Sequence, residues 1–106
     1  MILEIETEAD FENNLAINDY VVADFTATFC QPCKIMNPVF ETLMESYKYV
    51  PISFVKIDVE KVSSVAKTQA IVAMPTFITY KRGVEHGRMQ GADKKGLEAL
   101  IRRLIF

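Results

Sequence analysis

Cys30-Gln31-Pro32-Cys33 holds both cysteines of the chain, at the junction between a run of strand type, Tyr20 to Thr26, and a run of helix type, Lys34 to Tyr47. A thiol at the entrance of a helix faces unpaired backbone N–H groups and the positive end of the helix dipole, which favours its thiolate, the nucleophilic form. Cys30 is the better placed nucleophile. Two intervening residues let the sulfur of Cys33 reach that of Cys30 across one turn, so the pair can alternate between dithiol and disulfide with little backbone movement. Cys33 is then the resolving thiol. Two other uses compete with this one. Structural zinc wants about four Cys or His ligands, and only His86 remains to join the cysteines. A static disulfide closing so short a loop would constrain the unfolded chain little, and stapled secreted domains usually carry more cysteines. Redox use is favoured, and spacing alone leaves the other two open.

The elements that must position the pair read as alternating strands and helices. Ile2, Leu3 and Ile5 suggest a short first strand, and Thr7 with Asp10 has the form of a capping box opening a helix that buries Phe11 and Leu15. Val21 to Thr26 is a nearly continuous apolar run, as expected of a central strand covered on both faces. Met36, Phe40, Leu43, Met44 and Tyr47 recur at helical spacing, with Pro32 suited to a first turn and Pro38 expected to kink the helix. Ile52 to Val59 reads as a strand, Ser64 to Gln69 as a short helix and Thr76 to Tyr80 as a strand. Gly83 makes the turn into a last strand from Glu85 to Gln90. Asp93 caps a final helix with Leu97, Leu100, Ile101 and Leu104 as its buried stripe, and Arg102 and Arg103 lie near the negative end of its dipole.

The order βαβαβαββα implies an α/β fold, a central mixed sheet with parallel crossovers closed by an antiparallel hairpin and with helices on both faces. In such sheets the reactive position lies beyond the carboxyl ends of the strands, at a helix N-terminus, which is where Cys30 falls. No linker, repeat or low-complexity segment interrupts the pattern, so residues 1–106 read as one domain. Half of the residues are apolar, enough for a core that needs no staple.

Twelve basic against 14 acidic residues, a net charge of −2, leave no electrostatic footprint for nucleic acid or an anionic membrane. Met1 to Glu8 carries acids in place of a basic and apolar leader, and no apolar run reaches the length of a membrane span. The expectation is a soluble protein of a reducing, cytoplasmic compartment.

Asp24 interrupts the apolar strand, and a carboxylate buried there has its pKa raised because desolvation disfavours the charge. It could accept a proton from a thiol, or it could be a structural carboxyl hydrogen-bonded in the core. Its place, two strand steps after Val22 and shortly before Cys30, favours the first. Lys56, in the neighbouring strand, could pair with Asp24 and lower its pKa, or its amine could snorkel to water. Pro75 stands at the start of a strand, where its missing N–H is tolerable. His86 reads as a solvated hairpin residue.

Asp24-Phe25-Thr26-Ala27-Thr28-Phe29-Cys30-Gln31-Pro32-Cys33-Lys34, followed by Pro38, Lys56-Ile57-Asp58-Val59, Met74-Pro75-Thr76-Phe77, Gly83 and Gly91, resembles the thioredoxin family in order and spacing over nearly the whole chain. The resemblance implies the thioredoxin fold and general protein disulfide reductase activity. It also implies no bound cofactor, recharging by a thioredoxin reductase that draws on NADPH, disulfide-containing protein substrates, and a monomer. Within the site it implies Asp24 paired with Lys56, a cis Met74–Pro75 bond, and Met74 offering its N–H and C=O to an extended substrate strand. Gly91 would leave room for that strand, and Phe29, Gln31, Pro32, Val72, Ala73, Met74 and Pro75 would form the surface it meets. Phe29, Val72, Ala73 and Met74 could equally be core.

The sequence also departs from the family. The usual motif is Cys-Gly-Pro-Cys preceded by Trp, with a second Trp following the buried Asp; Gln31, Phe29 and Thr26 occupy those positions here, and the chain has no Trp. The Gln31 amide could donate to the Cys30 thiolate, or it could point into solvent and alter partner contacts only. Two further function classes stay open. One is a binding module using the groove without turnover, against which the intact Cys30, Cys33, Asp24 and Pro75 argue. The other is a thiol oxidase or isomerase, separated from a reductase by a reduction potential that sequence does not give.

Overall fold

In the computed structural model, which describes residues 1–106, the elements run β1 (Leu3–Glu4), α1 (Glu8–Ile17), β2 (Tyr20–Thr26), α2 (Gln31–Ser46), β3 (Ile52–Asp58), α3 (Ser63–Thr68), β4 (Thr76–Lys81), β5 (Val84–Gln90) and α4 (Lys94–Ile105). The strands form one sheet in the order β1-β3-β2-β4-β5. β1, β3 and β2 are mutually parallel along that order, whereas β4 runs antiparallel to β2 and β5 antiparallel to β4. This is the mixed sheet closed by a hairpin that the element order implies.

β2 explains the layering. Its alternate side chains divide between two cores, Val21, Ala23 and Phe25 joining one and Val22 the other. The first core adds Phe11 from α1 and Val65 from α3; the second adds Met36, Phe40 and Leu43 from α2 and the Leu97, Leu100, Ile101 and Leu104 stripe of α4. With helices on both faces, β2 has no solvated side and reads as an unbroken apolar run. Phe40 is fully buried and meets the rings of Phe54 and Phe77 with centroids 5.6 and 5.7 Å away.

Caps fall where side-chain chemistry expects them. The Thr7 hydroxyl accepts the Asp10 N–H, and the Asp10 carboxylate accepts the Thr7 N–H, completing the capping box of α1. Asp93 accepts the Gly96 N–H at 2.9 Å and caps α4. The structure moves other boundaries. α2 begins at Gln31, one turn before the Lys34 that apolar periodicity suggests, because Cys30 itself occupies the cap position and Pro32 sits in the first turn, where no N–H is needed. The helix then continues through Pro38 to Ser46. α1 buries Asn14 as well as Phe11, its Nδ2 donating to Ser53 Oγ at 3.0 Å, while Leu15 is only partly buried.

Replacing Phe40 by Ala removes the ring that joins α2 to β3 and β4. The expected loss is about 3–5 kcal/mol, read from the midpoint of urea unfolding at constant slope.

Candidate redox site

β2 ends at Thr26, and four residues later Cys30 opens α2, so the carboxyl end of the central strand delivers the first sulfur directly to a helix N-terminus. Cys30 has extended backbone, and its sulfur accepts the Cys33 N–H at 3.3 Å, which makes the sulfur the cap of its own helix. A thiolate there gains a charge-assisted hydrogen bond and the positive end of the dipole. Cys30 and Cys33 are joined by a disulfide, with their Cα atoms 5.2 Å apart. Cys30 is partly exposed and Cys33 buried. An attacking sulfur in reach of a partner and a second one shielded behind it is the division of labour that sequential thiol exchange requires.

A second segment closes on this one. The Met74 carbonyl oxygen lies 3.7 Å from Cys30 Sγ, and the Met74–Pro75 bond is cis. The Thr76 hydroxyl donates to the Ala73 carbonyl at 2.6 Å, and the Gly91 N–H donates to the Pro75 carbonyl at 2.9 Å. The N–H groups of Val72, Ala73 and Met74 donate to nothing within the chain. They present a short unpaired backbone edge beside the sulfur. Gly91 has φ of 94° and open space where a Cβ would stand, so its backbone conformation, rather than crowding, requires glycine.

Apolar side chains stand exposed on the segments that carry Cys30 and Met74. Phe29 is 93% and Val72 82% exposed, Ala73 and Met74 are half-buried, and Pro75 is buried. Phe29 and Val72 are therefore rim and not core. Ile35, two residues after Cys33 on α2, is 56% exposed as well. Its signal in the sequence was an apolar residue two positions after the dithiol and off the buried stripe. Gln31 and Pro32 are exposed on the first turn, and with the cysteines joined as a disulfide the Gln31 amide makes no hydrogen bond. The largest surface depression, about 530 Å³, is lined by residues such as Leu15, Asp19 and Arg82 and by neither cysteine. The dithiol sits on open surface suited to a macromolecule.

Asp24 lies on the same face of β2 as Val22, at 1% exposure, and its Oδ1 has no hydrogen-bond partner. Burial lifts its pKa from 3.8 to about 7, against the smaller opposing pull of the Lys56 charge. Lys56 is the register partner of Asp24 across the parallel β2–β3 ladder, yet the two form no ion pair. The expected pairing is thus corrected to a weaker, through-space influence. Lys56 keeps part of its surface in water, and drawing it in to meet a fully buried carboxyl would cost it that hydration. His86 lies exposed on β5 with Nε2 3.2 Å from the Arg103 carbonyl, away from the dithiol in the fold.

A helix-capping dithiol at the carboxyl end of the central strand of such a sheet defines a thiol–disulfide oxidoreductase whose redox centre is its own cysteine pair. The family model described as Thioredoxin matches residues 2–103. The thioredoxin of Homo sapiens is 39% identical over 107 residues, covering 99% of this chain and 100% of its own. A thioredoxin structure from Plasmodium falciparum superposes with a TM-score of 0.92 at 33% identity, covering 96% of this chain and 98% of that one. The oxidized mitochondrial thioredoxin 3 of Saccharomyces cerevisiae gives 0.90 at 38% identity, covering 95% and 93%. The chain belongs to the thioredoxin family.

The raised pKa of Asp24 has a sign for stability. The unfolded carboxyl is charged above pH 3.8 and the folded one resists charging until about 7, so stability falls as pH climbs through that window and stays low above it. Asp24→Asn removes the penalty. Its gain over the parent is expected to be absent at pH 3 and to reach on the order of 4 kcal/mol at pH 8, measured by urea unfolding across pH.

Proposed function

We propose that the chain acts as one thioredoxin unit that reduces disulfides in proteins of the cytoplasm and is recharged by an NADPH-dependent thioredoxin reductase. The observation that carries the reading is the convergence on one sulfur: Cys30 Sγ takes the Cys33 N–H at 3.3 Å and has the Met74 carbonyl 3.7 Å away, beside a backbone edge with free N–H groups. No helix is long and apolar enough to cross a membrane, which agrees with the compartment proposed.

An extended substrate segment adds to the Met74 edge by backbone hydrogen bonds, which hold it with little demand on side-chain identity. Phe29, Ile35, Val72 and Ala73, with Gln31 and Pro32 on the helix side, supply the apolar and polar contacts around it. The Cys30 thiolate attacks one sulfur of the substrate disulfide; that S–S bond breaks, the mixed disulfide forms, and the second substrate sulfur leaves as a thiolate that takes a proton. Asp24 accepts the Cys33 proton. The Cys33 thiolate then attacks Cys30 Sγ, closing the Cys30–Cys33 disulfide and releasing the substrate as a dithiol. Two electrons have passed to the substrate. The reductase supplies two more, from NADPH, to reopen the Cys30–Cys33 disulfide. A pKa of about 7 suits Asp24 to give and take a proton near neutrality, and the Lys56 charge helps keep it from rising further.

Cys30→Ser is expected to abolish reduction of a protein disulfide, and Cys33→Ser to accumulate a mixed disulfide visible on a non-reducing gel. Equal turnover by Cys30→Ser and the parent would overturn the reading. In single-turnover experiments the release of reduced substrate should accelerate as pH rises through about 7, the region in which Asp24 ionises. Asp24→Asn should lose that acceleration and retain formation of the mixed disulfide; an unchanged pH profile would remove Asp24 from the mechanism.

A further inference from the structure

α3 ends in a backbone arrangement that aims the chain at the site. Ala70 has φ of 55°, the Ile71 N–H donates to the Ala66 carbonyl at 2.9 Å, and the Ala70 N–H donates to the Lys67 carbonyl at 3.1 Å. This is a Schellman closure with alanine where glycine is usual, and Ile71 packs against the first core as its apolar lock. From there Ile71 to Met74 reach Cys30 with few bonds of their own. Their placement is therefore set at their ends. The downstream end is tied through Pro75 to Gly91, and the upstream end is the last turn of a six-residue helix too short to hold itself.

Two side chains of the β4–β5 hairpin grip that turn. The buried Tyr80 donates its hydroxyl to Gln69 Oε1 at 2.6 Å. Arg88, opposite Ile78 in register and so on the face where α3 lies, donates Nη2 to the Gln69 carbonyl at 2.9 Å and Nη1 to the Ala70 carbonyl at 3.4 Å. Glu85 holds the same guanidinium from behind, with Nε and Nη2 each 2.7 Å from a carboxylate oxygen. The planar fork thus spends both edges, one on the carboxylate and one on the helix end. A lysine offers a single point of donation in its place.

We propose that Arg88 is a positioning residue for substrate binding: it fixes the end of α3 so that the backbone edge at Val72 to Met74 stands ready beside Cys30. This rests on the reductase reading above and goes further by assigning affinity for the substrate strand to a residue on the opposite face of the sheet from α2. Arg88 keeps about a third of its side chain in water. Exposed pairs of this kind add little to global stability, so the role of Arg88 is local. A loose edge must be ordered when the substrate binds, and that cost appears in affinity.

The test compares the full-length parent with Arg88→Gln, Arg88→Lys and, as a control for losing an exposed i,i+3 ion pair, Lys48→Gln. Steady-state reduction of a protein disulfide and of a small aromatic disulfide is measured together with backbone amide order parameters. In Arg88→Gln, KM for the protein disulfide should rise by roughly three- to tenfold at unchanged kcat. The small disulfide, which needs no backbone edge, should be reduced as before. Order parameters from Ala70 to Met74 should fall from about 0.85 toward 0.6 while those of α2 hold. Arg88→Lys should recover part of both effects, and Lys48→Gln should move neither. Unchanged KM and order parameters in Arg88→Gln would overturn the proposal, as would an equal loss on both substrates, which marks a merely structural role. Should the parent reduce neither disulfide, the reductase reading fails and the order parameters alone decide whether Arg88 holds the edge.

Discussion

Everything in this molecule depends on one strand having no solvated face. β2 lies third in a five-stranded sheet, with helices above and below, so all its side chains from Val21 to Thr26 are buried. A strand covered on both faces can leave the sheet only at its ends. Its carboxyl end emerges where α2 begins, and the first sulfur therefore arrives at unpaired N–H groups by the path of the chain. The same constraint fixes the second ingredient, because any ionisable group carried by that strand is stripped of water along with its neighbours.

Asp24 is that group, and it sets stability against chemistry. A hydrophobic residue in its place would suit both the strand and the core. The carboxyl instead remains with an unpartnered oxygen, its pKa lifted by burial to about 7, so that charged and neutral forms coexist near neutral pH. Such a site is unfavourable for folding and suited to taking and giving a proton near neutrality, a trade commonly met where function has priority over packing.

The local features were legible in the sequence. β2 has the bounds its apolar run suggests, the α4 stripe is the one its spacing gives, and Thr7 and Asp93 cap as their types require. Each of those depends on neighbours within one or two turns of the same element. The departures have two sources, an unusual cap and partners far away in the chain. α2 starts a turn early because a cysteine served as a cap, a role usually filled by Ser, Thr, Asp or Asn. Lys56 and Asp24 invite pairing by charge, but depth in the sheet keeps them apart. Arg88 carried no signal of its hold on α3, since its partners at Gln69 and Ala70 are backbone carbonyls, which have no sequence identity.

The sheet has two outer edges, and their makeup bears on what else can add to it. β1 is two residues long, too short to template a neighbour. β5 is longer, but it carries Glu85, His86 and Arg88, and the β4–β5 pairing shifts register between Thr79 and Tyr80, which twists the edge away from a flat ladder. A stray extended chain thus finds poor purchase at either margin, whereas the N–H groups of Val72 to Met74 stand unpaired beside the sulfur of Cys30. There the first thing it meets is a sulfur able to bond it covalently and then let it go. In the function proposed, strand addition, the event that elsewhere seeds aggregation, takes place where release follows from the chemistry.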